Sequence, residues 1–199
     1  MLNATRSTLL TVLVVSPLAL FAQSALAATV IRGFEEFADG TAWTQQYSEF
    51  NITTDTVGAT LGVYELGSYA TEGTKGLLSV VPNQGAIGNA IFTANGSNRF
   101  LGFSVNGMED VGESVANVYL YNSASTLIAA LNVVAPATST TAVNVDFSNY
   151  ADVARFEIRN VTDSYGFAID RIVIDTVGVP APGAIALLGL AGLAGRRRR

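Results

Sequence analysis

Arg155-Phe156-Glu157-Ile158-Arg159 alternates charged and apolar residues with a period of two. Such alternation is typical of a β-strand with one face in water and the other in a core. Val118-Tyr-Leu-Tyr121 alternates aliphatic with aromatic residues instead, which predicts a strand that is covered on both faces. No window of eleven residues in the middle of the chain keeps a helical period. These segments predict an all-β domain.

Short apolar runs recur at intervals of roughly 8–12 residues, separated by turn-forming residues such as Asn95-Gly-Ser-Asn98. This spacing is typical of a β-sandwich or barrel. About ten strands exceed the seven of a simple immunoglobulin-like sandwich, so the sequence predicts a single antiparallel β-sandwich that is jelly-roll-like. The predicted strands are Tyr47–Thr54, Ala59–Glu65, Gly76–Val81, Ala86–Thr93, Phe100–Val105, Val115–Tyr121, Leu127–Val134, Ala142–Phe147, Val153–Arg159 and Phe167–Asp175.

Residues 1–27 have the pattern of a secretory signal peptide. Arg6 gives the start a positive charge, an apolar run follows, and the small residues Ala25 and Ala27 precede a predicted cut before Ala28. The alternative is a permanent membrane helix. It is disfavoured because the apolar run contains a proline and is short: a membrane span needs about 20 residues.

Residues 177–199 carry three signals in order: a proline motif, an apolar helix-forming segment and a terminal arginine cluster. The prolines stop the preceding chain from continuing into the helix, and the arginines stay on the cytoplasmic side of a membrane. The predicted helix is the apolar segment Ala184–Gly195, which is short for a membrane span. Counting back to Val177 and letting the arginines snorkel makes the segment long enough to span the bilayer. The motif consists of Val179, Pro180, Ala181 and Pro182, and the cluster of Arg196, Arg197, Arg198 and Arg199.

This tail resembles the PEP-CTERM sorting signal of Gram-negative bacteria, with Ala181 at the position of the central Glu. The resemblance implies that signal peptidase removes the N-terminal segment and that exosortase, a transpeptidase-like membrane enzyme, recognises the tail. The precursor then lies transiently in the inner membrane, and the mature form is at the cell surface or extracellular. An ordinary C-terminal tail anchor is the alternative, and it also keeps the protein outside the cytoplasm.

Removing the two ends changes the charge of the chain. Five of the eleven basic residues lie in those ends and none of the sixteen acidic residues does, so the charge of residues 28–176 is −10 rather than −5. A nucleic-acid partner would require a basic face, and none is predicted. The chain contains no cysteine and no histidine. That composition excludes disulfides, Ser–His or Cys–His nucleophiles and zinc sites built from His and Cys, and it favours a protein that is not an enzyme.

A second resemblance spans most of residues 28–176. The order of Gly33-Phe-Glu-Glu-Phe37, Phe100-Leu-Gly-Phe103 and Phe167-Ala-Ile-Asp170 is similar to that in jelly-roll domains of exported bacterial proteins. Those domains are similar in fold to carbohydrate-binding modules. Arg171 is a departure, because relatives often carry a second Asp after the Ile-Asp pair.

The jelly-roll resemblance implies one possible cofactor, a structural calcium ion. It would lie between an acidic residue near the first strand and an aspartate in the last, and Glu35 or Glu36 and Asp170 are the matching residues. Calcium takes six to eight oxygen ligands, some of them backbone carbonyls. The alternative is that these carboxylates are solvated at strand ends.

Trp43 and Tyr47 are the candidate ligand-binding residues, because Trp and Tyr combine a broad apolar face with a polar group. The alternative places the single Trp in the core. Tyr119 and Tyr121 are predicted to form a cross-strand aromatic row.

The predicted function is that of a non-catalytic surface or extracellular-matrix protein. The PEP-CTERM resemblance implies an association with exopolysaccharide in a biofilm, because that sorting system accompanies exopolysaccharide production. One alternative is a carbohydrate-active enzyme that uses carboxylates alone, with Glu109, Asp110 and Glu113 as an acidic loop cluster. Another is a structural adhesin or filament subunit.

Overall fold

The computed structural model describes residues 28–44, 47–71, 73–106, 113–136, 141–163 and 168–176. Within these ranges the chain forms twelve β-strands and one short 3-10 helix, Gly67–Tyr69, which confirms the all-β prediction. The strands are β1 Ala28–Arg32, β2 Thr41–Ala42, β3 Phe50–Thr53, β4 Thr60–Glu65, β5 Lys75–Val80, β6 Ala90–Ala94, β7 Arg99–Asn106, β8 Ser114–Tyr121, β9 Leu127–Val134, β10 Val143–Asp146, β11 Arg155–Arg159 and β12 Ala168–Thr176.

The strands form two sheets in which the pairings are antiparallel. The seven-stranded sheet has the order β10-β7-β12-β5-β4-β2, with β1 also paired to β12. The five-stranded sheet has the order β3-β6-β11-β8-β9. Only β4–β5 and β8–β9 join strands that are consecutive in the chain, so most neighbours come from distant parts of the sequence.

Phenylalanines join the two sheets into one core. Phe156 of β11, in the five-stranded sheet, stacks on Phe103 of β7, in the seven-stranded sheet, with ring centroids 4.8 Å apart. Phe156 also stacks on Phe92 at 4.3 Å and meets the edge of Phe100 at 4.9 Å. All four rings are at most 2% exposed. The sheets therefore pack face to face through aromatic side chains.

All ten predicted strands are present, with ends shifted by up to four residues. β9 has its predicted bounds, whereas the sequence does not predict β1 or β2. β2 is two residues long, too short for a periodic pattern. β1 begins next to the predicted signal peptide and pairs with β12 from Ala28↔Thr176 to Arg32↔Ile172. The predicted terminal helices lie outside the described residues, and the described part contains no helix suited to crossing a membrane.

A bulge divides β12 into two halves. The register with β7 shifts between Asp170 and Val173, and Arg171 has a positive φ of 45°. Before the bulge β12 pairs with β5 at Ile169, and after it β12 pairs with β1. Gly102 of β7 lies opposite Val173 and has a φ of 156°. The bulge follows Asp170, which is fully buried and accepts a hydrogen bond from the N–H of Thr71, two residues after the 3-10 helix.

Candidate functional site

Trp43 and Tyr47 lie in the core, at 9% and 6% exposure. The Trp43 ring meets Phe34 edge-on at 5.8 Å, and its centroid is 5.4 Å from that of Tyr47. The Tyr47 hydroxyl donates a hydrogen bond to the carbonyl of Gly33. Neither ring presents an open face for stacking on a ligand, because the rings of Phe34 and Phe37 contact both. The guanidinium group of Arg32 also lies over the Tyr47 ring. Trp43 and Tyr47 are therefore not available to stack on a ligand at the surface.

The acidic residues predicted to hold calcium bind backbone amides. Glu35 Oε1 accepts hydrogen bonds from the N–H groups of Thr74 and Lys75, at 2.8 and 2.7 Å. Asp170 is fully buried, and its Oδ2 accepts from the N–H of Thr71 at 2.9 Å. Glu35 and Asp170 thus anchor the two ends of the segment 71–75.

Glu36, the third predicted calcium residue, is exposed and lies beside Tyr47. Burial, followed by the hydrogen bond and charge of Glu36, raises the pKa of the Tyr47 hydroxyl, so this group stays protonated. Across the described ranges, no three acidic side chains converge on a point where a metal ion would bind. The calcium ion stays a prediction.

One buried oxygen beside the 71–75 segment is compatible with a cation. Asn106 is 1% exposed, and its Nδ2 donates to Thr71 Oγ1 at 2.6 Å. Its Oδ1 is buried and makes no hydrogen bond. Ser104, which pairs with Asp170 across the sheet, also donates to Thr71 Oγ1, at 3.0 Å. An amide oxygen of this kind is a calcium ligand type.

The outer face of the five-stranded sheet brings together two tyrosines and three charged side chains. On β8, Val118 and Leu120 are buried in the core, so the alternating Tyr119 and Tyr121 point outward and are half-buried. On β11 the same alternation turns the charged residues outward. The register places Arg155 opposite Tyr121. We call this surface the tyrosine face; it consists of Asn117, Tyr119, Tyr121, Asn132, Arg155, Glu157, Arg159 and Asn160.

An ion-pair network fixes the centre of the tyrosine face. Glu157 is 5% exposed because two guanidinium groups cover it: Arg155 Nη2 lies 3.2 Å from Oε1, and Arg159 Nε lies 2.5 Å from Oε2. Arg159 Nη2 also lies 2.7 Å from Asp55 Oδ2. The hydrogen bonds to Glu157 and Asp55 raise the pKa of Arg159. Arg159 therefore stays charged, and both arginines are held against Glu157.

Arg155 also holds the Tyr121 ring. Its guanidinium carbon lies 4.1 Å from the ring centroid, within the range of a cation–π contact. Such a contact contributes about 0.5–1 kcal/mol at an exposed site. The Tyr121 hydroxyl lies 3.5 Å from Glu157 Oε2. The ring is thus oriented before any ligand arrives.

Three asparagine amides extend the tyrosine face along β8. Asn160 Nδ2 donates to Asn117 Oδ1 at 3.0 Å, and Asn117 Nδ2 donates to Asn132 Oδ1 at 2.6 Å. Asn117 is two residues before Tyr119 and therefore lies on the same face of the strand. The face offers aromatic rings together with amide and guanidinium donors and amide acceptors.

Together with Asp55 at its border, the tyrosine face carries no net charge, in a strongly acidic domain. The positive charges of Arg155 and Arg159 are balanced by Glu157 and by Asp55, which borders the face. Residues 28–176 as a whole carry a charge of −10. The prediction that Tyr119 and Tyr121 form a cross-strand aromatic row is wrong, because the residues opposite them are not aromatic: Glu157 and Ala130 for Tyr119, Arg155 and Leu127 for Tyr121. The sequence did not identify the arginines as their neighbours.

Among known proteins, this chain is similar to several solved structures in general architecture. No protein-family model matches the chain, and no curated protein matches it. Among solved structures, the K2 cleaved adhesin domain of Lys-gingipain is 12% identical, with 75% of this chain and 99% of that one covered and a TM-score of 0.48. The corresponding K1 domain from Porphyromonas gingivalis W83 is 12% identical, with 77% and 99% covered and a TM-score of 0.42.

A third solved structure is a mutant of CBM29-2, a family 29 carbohydrate-binding module. It is 12% identical, with 77% of this chain and 94% of that one covered and a TM-score of 0.41. Because these identities and scores are low, the three likenesses carry no argument about what this chain binds. The chain resembles them in general architecture, and its function has to be argued from its own residues.

Proposed function

We propose that this protein is an exported, non-catalytic surface or matrix protein of jelly-roll type whose tyrosine face binds a glycan of an extracellular polysaccharide. The tyrosine face is the observation that carries this proposal. It combines Tyr119 and Tyr121, half-exposed on one strand, with a neutral network of guanidinium, carboxylate and amide groups.

This chemistry suits a polyhydroxyl ligand. The apolar C–H face of a sugar ring packs on an aromatic ring, and the phenol group supplies a polar contact at its edge. Amide and guanidinium groups can hydrogen-bond neighbouring hydroxyls. Because Arg155 and Arg159 are already held by Glu157, little side-chain entropy is lost when a ligand binds.

The carboxylates of the tyrosine face favour binding over hydrolysis. A glycosidase needs two carboxyl groups, one of them a general acid with a raised pKa. Glu157 is held by two arginines, and hydrogen bonds from Asn89 and Arg159 lower the pKa of Asp55. The absence of histidine from the chain also removes the commonest general base.

Replacing Tyr119 or Tyr121 by Ala is expected to weaken glycan binding about tenfold each, which corresponds to about 1.4 kcal/mol of binding free energy. The reason is that each substitution removes one stacking surface. A glycan array would identify a ligand, and isothermal titration calorimetry with that glycan would give the dissociation constants.

Tyr64→Ala is the matched control, because Tyr64 is also half-buried on a strand but lies in the other sheet. Its dissociation constant should equal that of the unmodified protein. Equal binding by all three variants would contradict the tyrosine face as the binding surface, and turnover of the glycan would contradict a non-catalytic role.

The proposed export depends on the two terminal segments, residues 1–27 and 177–199. Their predicted cleavage and sorting residues, apart from Ala28, lie outside the described residues. Signal peptidase and exosortase are the partners in this proposal, and the inner membrane is a transient one.

Intact-mass measurement of the protein isolated from cells should give a mature form that lacks residues 1–27 and Arg196–Arg199. The double variant Pro180→Ala, Pro182→Ala should accumulate as an uncut precursor in the inner membrane, because it lacks the proline motif that precedes the helix and that the sorting enzyme is proposed to recognise. A mature protein that retains the arginines would favour a permanent tail anchor. Normal processing of the double variant would mean that the motif has no role.

A further inference from the structure

The charged side chains of the five-stranded sheet all lie on one strand. Of its five strands, as the structure describes them, only β11 contains charged residues, which are Arg155, Glu157 and Arg159. The strands on both sides of β11 present uncharged residues next to them, such as Thr93 of β6 and Tyr121 of β8, which both lie opposite Arg155. A ligand on the tyrosine face therefore meets formal charge only along β11 and at the bordering Asp55.

These charges cancel within the face and its border. Glu157 contacts both arginines, and Arg159 also contacts Asp55, so two positive and two negative groups are paired with one another. The charge of −10 on residues 28–176 is consequently carried by the rest of the domain. An anion approaches the face through the negative potential of that domain, whereas an uncharged ligand is not repelled by it.

The carboxylate of Glu157 lies beside both tyrosines. The strand register places Glu157 opposite Tyr119, and the Tyr121 hydroxyl lies 3.5 Å from Glu157 Oε2. An anionic group that reached for Arg155 or Arg159 would have to share the guanidinium with Glu157 and lie next to a like charge. A sugar hydroxyl does not meet this cost, because it is uncharged and a guanidinium has five N–H donors to offer.

We propose that the tyrosine face selects uncharged glycans and rejects those that carry carboxylate, sulfate or phosphate groups. Glu157 and Asp55 determine this selection, because they neutralise the positive charge that an anionic glycan would need. Specificity is a difference between two affinities, and an unfavourable contact with the wrong ligand contributes to it. The selection rests on the proposed function, glycan binding by the tyrosine face, and adds the chemical class of the ligand.

Salt dependence distinguishes an uncharged ligand from an anionic one that pairs with the arginines. Raising the ionic strength from about 0.01 M to about 0.15 M shortens the Debye length from about 30 Å to about 8 Å. The dissociation constant of the bound glycan should change by less than about twofold over this range, because no ion pair forms with it. Marked weakening by salt would mean that the arginines bind an anionic group, and it would overturn the proposal.

A glycan array that presents each sugar backbone in an uncharged and an anionic form tests the selection directly. Oligogalacturonides with methyl-esterified or free carboxyl groups, and glucans without or with carboxymethyl groups, are such pairs. For each backbone that binds, the uncharged form should bind at least about tenfold more tightly, because the anionic form brings a like charge next to Glu157. Equal or tighter binding of the anionic forms would overturn the proposal.

Two substitutions test the residues that determine the selection. Glu157→Gln and Asp55→Asn each remove one negative charge, so each should strengthen binding of the anionic form about tenfold and reduce the difference between the two forms. Asp175→Asn is the matched control, because it removes the same charge from an ion pair with Arg99 in the seven-stranded sheet. It should keep the preference of the unmodified protein. The same preference in all three variants would contradict the roles of Glu157 and Asp55.

Folding and glycan binding are controlled separately. The Asp55 side chain is 44% exposed and that of Glu157 is 6% exposed, so Asp55→Asn is the milder substitution, and thermal unfolding checks that each variant is folded. Glycan binding that Tyr119→Ala and Tyr121→Ala do not weaken would contradict the proposed function. Binding that depends on both tyrosines but favours the anionic form would contradict only the selection for uncharged glycans.

Discussion

Replacing Phe156 by Ala is expected to lower the free energy of unfolding by about 4 kcal/mol, within the range for large-to-small changes of a buried Phe. The ring is fully buried and stacks on both Phe92 and Phe103, so it contacts both sheets at once. Its removal leaves a cavity that neighbours fixed in two different sheets cannot close. Urea denaturation followed by circular dichroism would measure the loss.

Phe37→Ala is a suitable comparison, because Phe37 is only partly buried and packs at the margin of the core against Trp43 and Tyr47. Its loss should be smaller than that of Phe156→Ala. If the two variants were equally stable, the packing of the sheets through Phe156 would be contradicted. Since domains are stable by only about 5–15 kcal/mol, the Phe156 variant is expected to be close to its limit of stability.

Replacing Gly102 by Ala is expected to cost about 3 kcal/mol of unfolding free energy, at the upper end of the range for backbone strain. Gly102 has a φ of 156°, which side-chain-bearing residues rarely adopt, and an added Cβ would lie 2.6 Å from the carbonyl oxygen of Val145. β10 would have to move away from β7, because the clashing atom belongs to its backbone. Thermal or urea unfolding would report the change.

Gly96→Ala is the control that measures the cost of backbone strain in the absence of a steric clash. Gly96 has a φ of 63°, and a Cβ there would meet no atom within 4 Å, so this variant should lose only the about 1–2 kcal/mol of the left-handed conformation. A loss for Gly102→Ala that is no greater than that for Gly96→Ala would show that β10 does not approach β7 as closely as the structure has it.

The sequence predicted which segments are strands because periodicity is a local property. Arg155–Arg159 illustrates this: the alternation that predicts a strand also predicts that Phe156 and Ile158 face the core. β1 has no turn residue between it and the predicted signal peptide, and its strand character becomes evident only in its pairing with β12. The order of the strands in the two sheets, in contrast, depends on pairings between strands far apart in the chain.

The candidate site was less predictable for the same reason. Tyr121 and Arg155 are 34 positions apart, and only the β8–β11 register brings the guanidinium over the ring. Conversely, Trp43 and Tyr47 have the right chemistry for a glycan contact but are buried, because the residues around them are also aromatic. A single sequence shows the kind of side chain at each position, and the pairing decides which ones meet at the surface.

The position of β12 also determines how the domain responds to tension. β12 lies between β7 on one side and β1 and β5 on the other, and near its end Asp175 pairs with both Arg99 of β7 and Thr29 of β1. A pull on that end along the strand acts across hydrogen bonds that run perpendicular to it, so the bonds to β7 and β1 are sheared together instead of opening one after another. A load applied at Thr176 is thus shared between two ladders of the seven-stranded sheet.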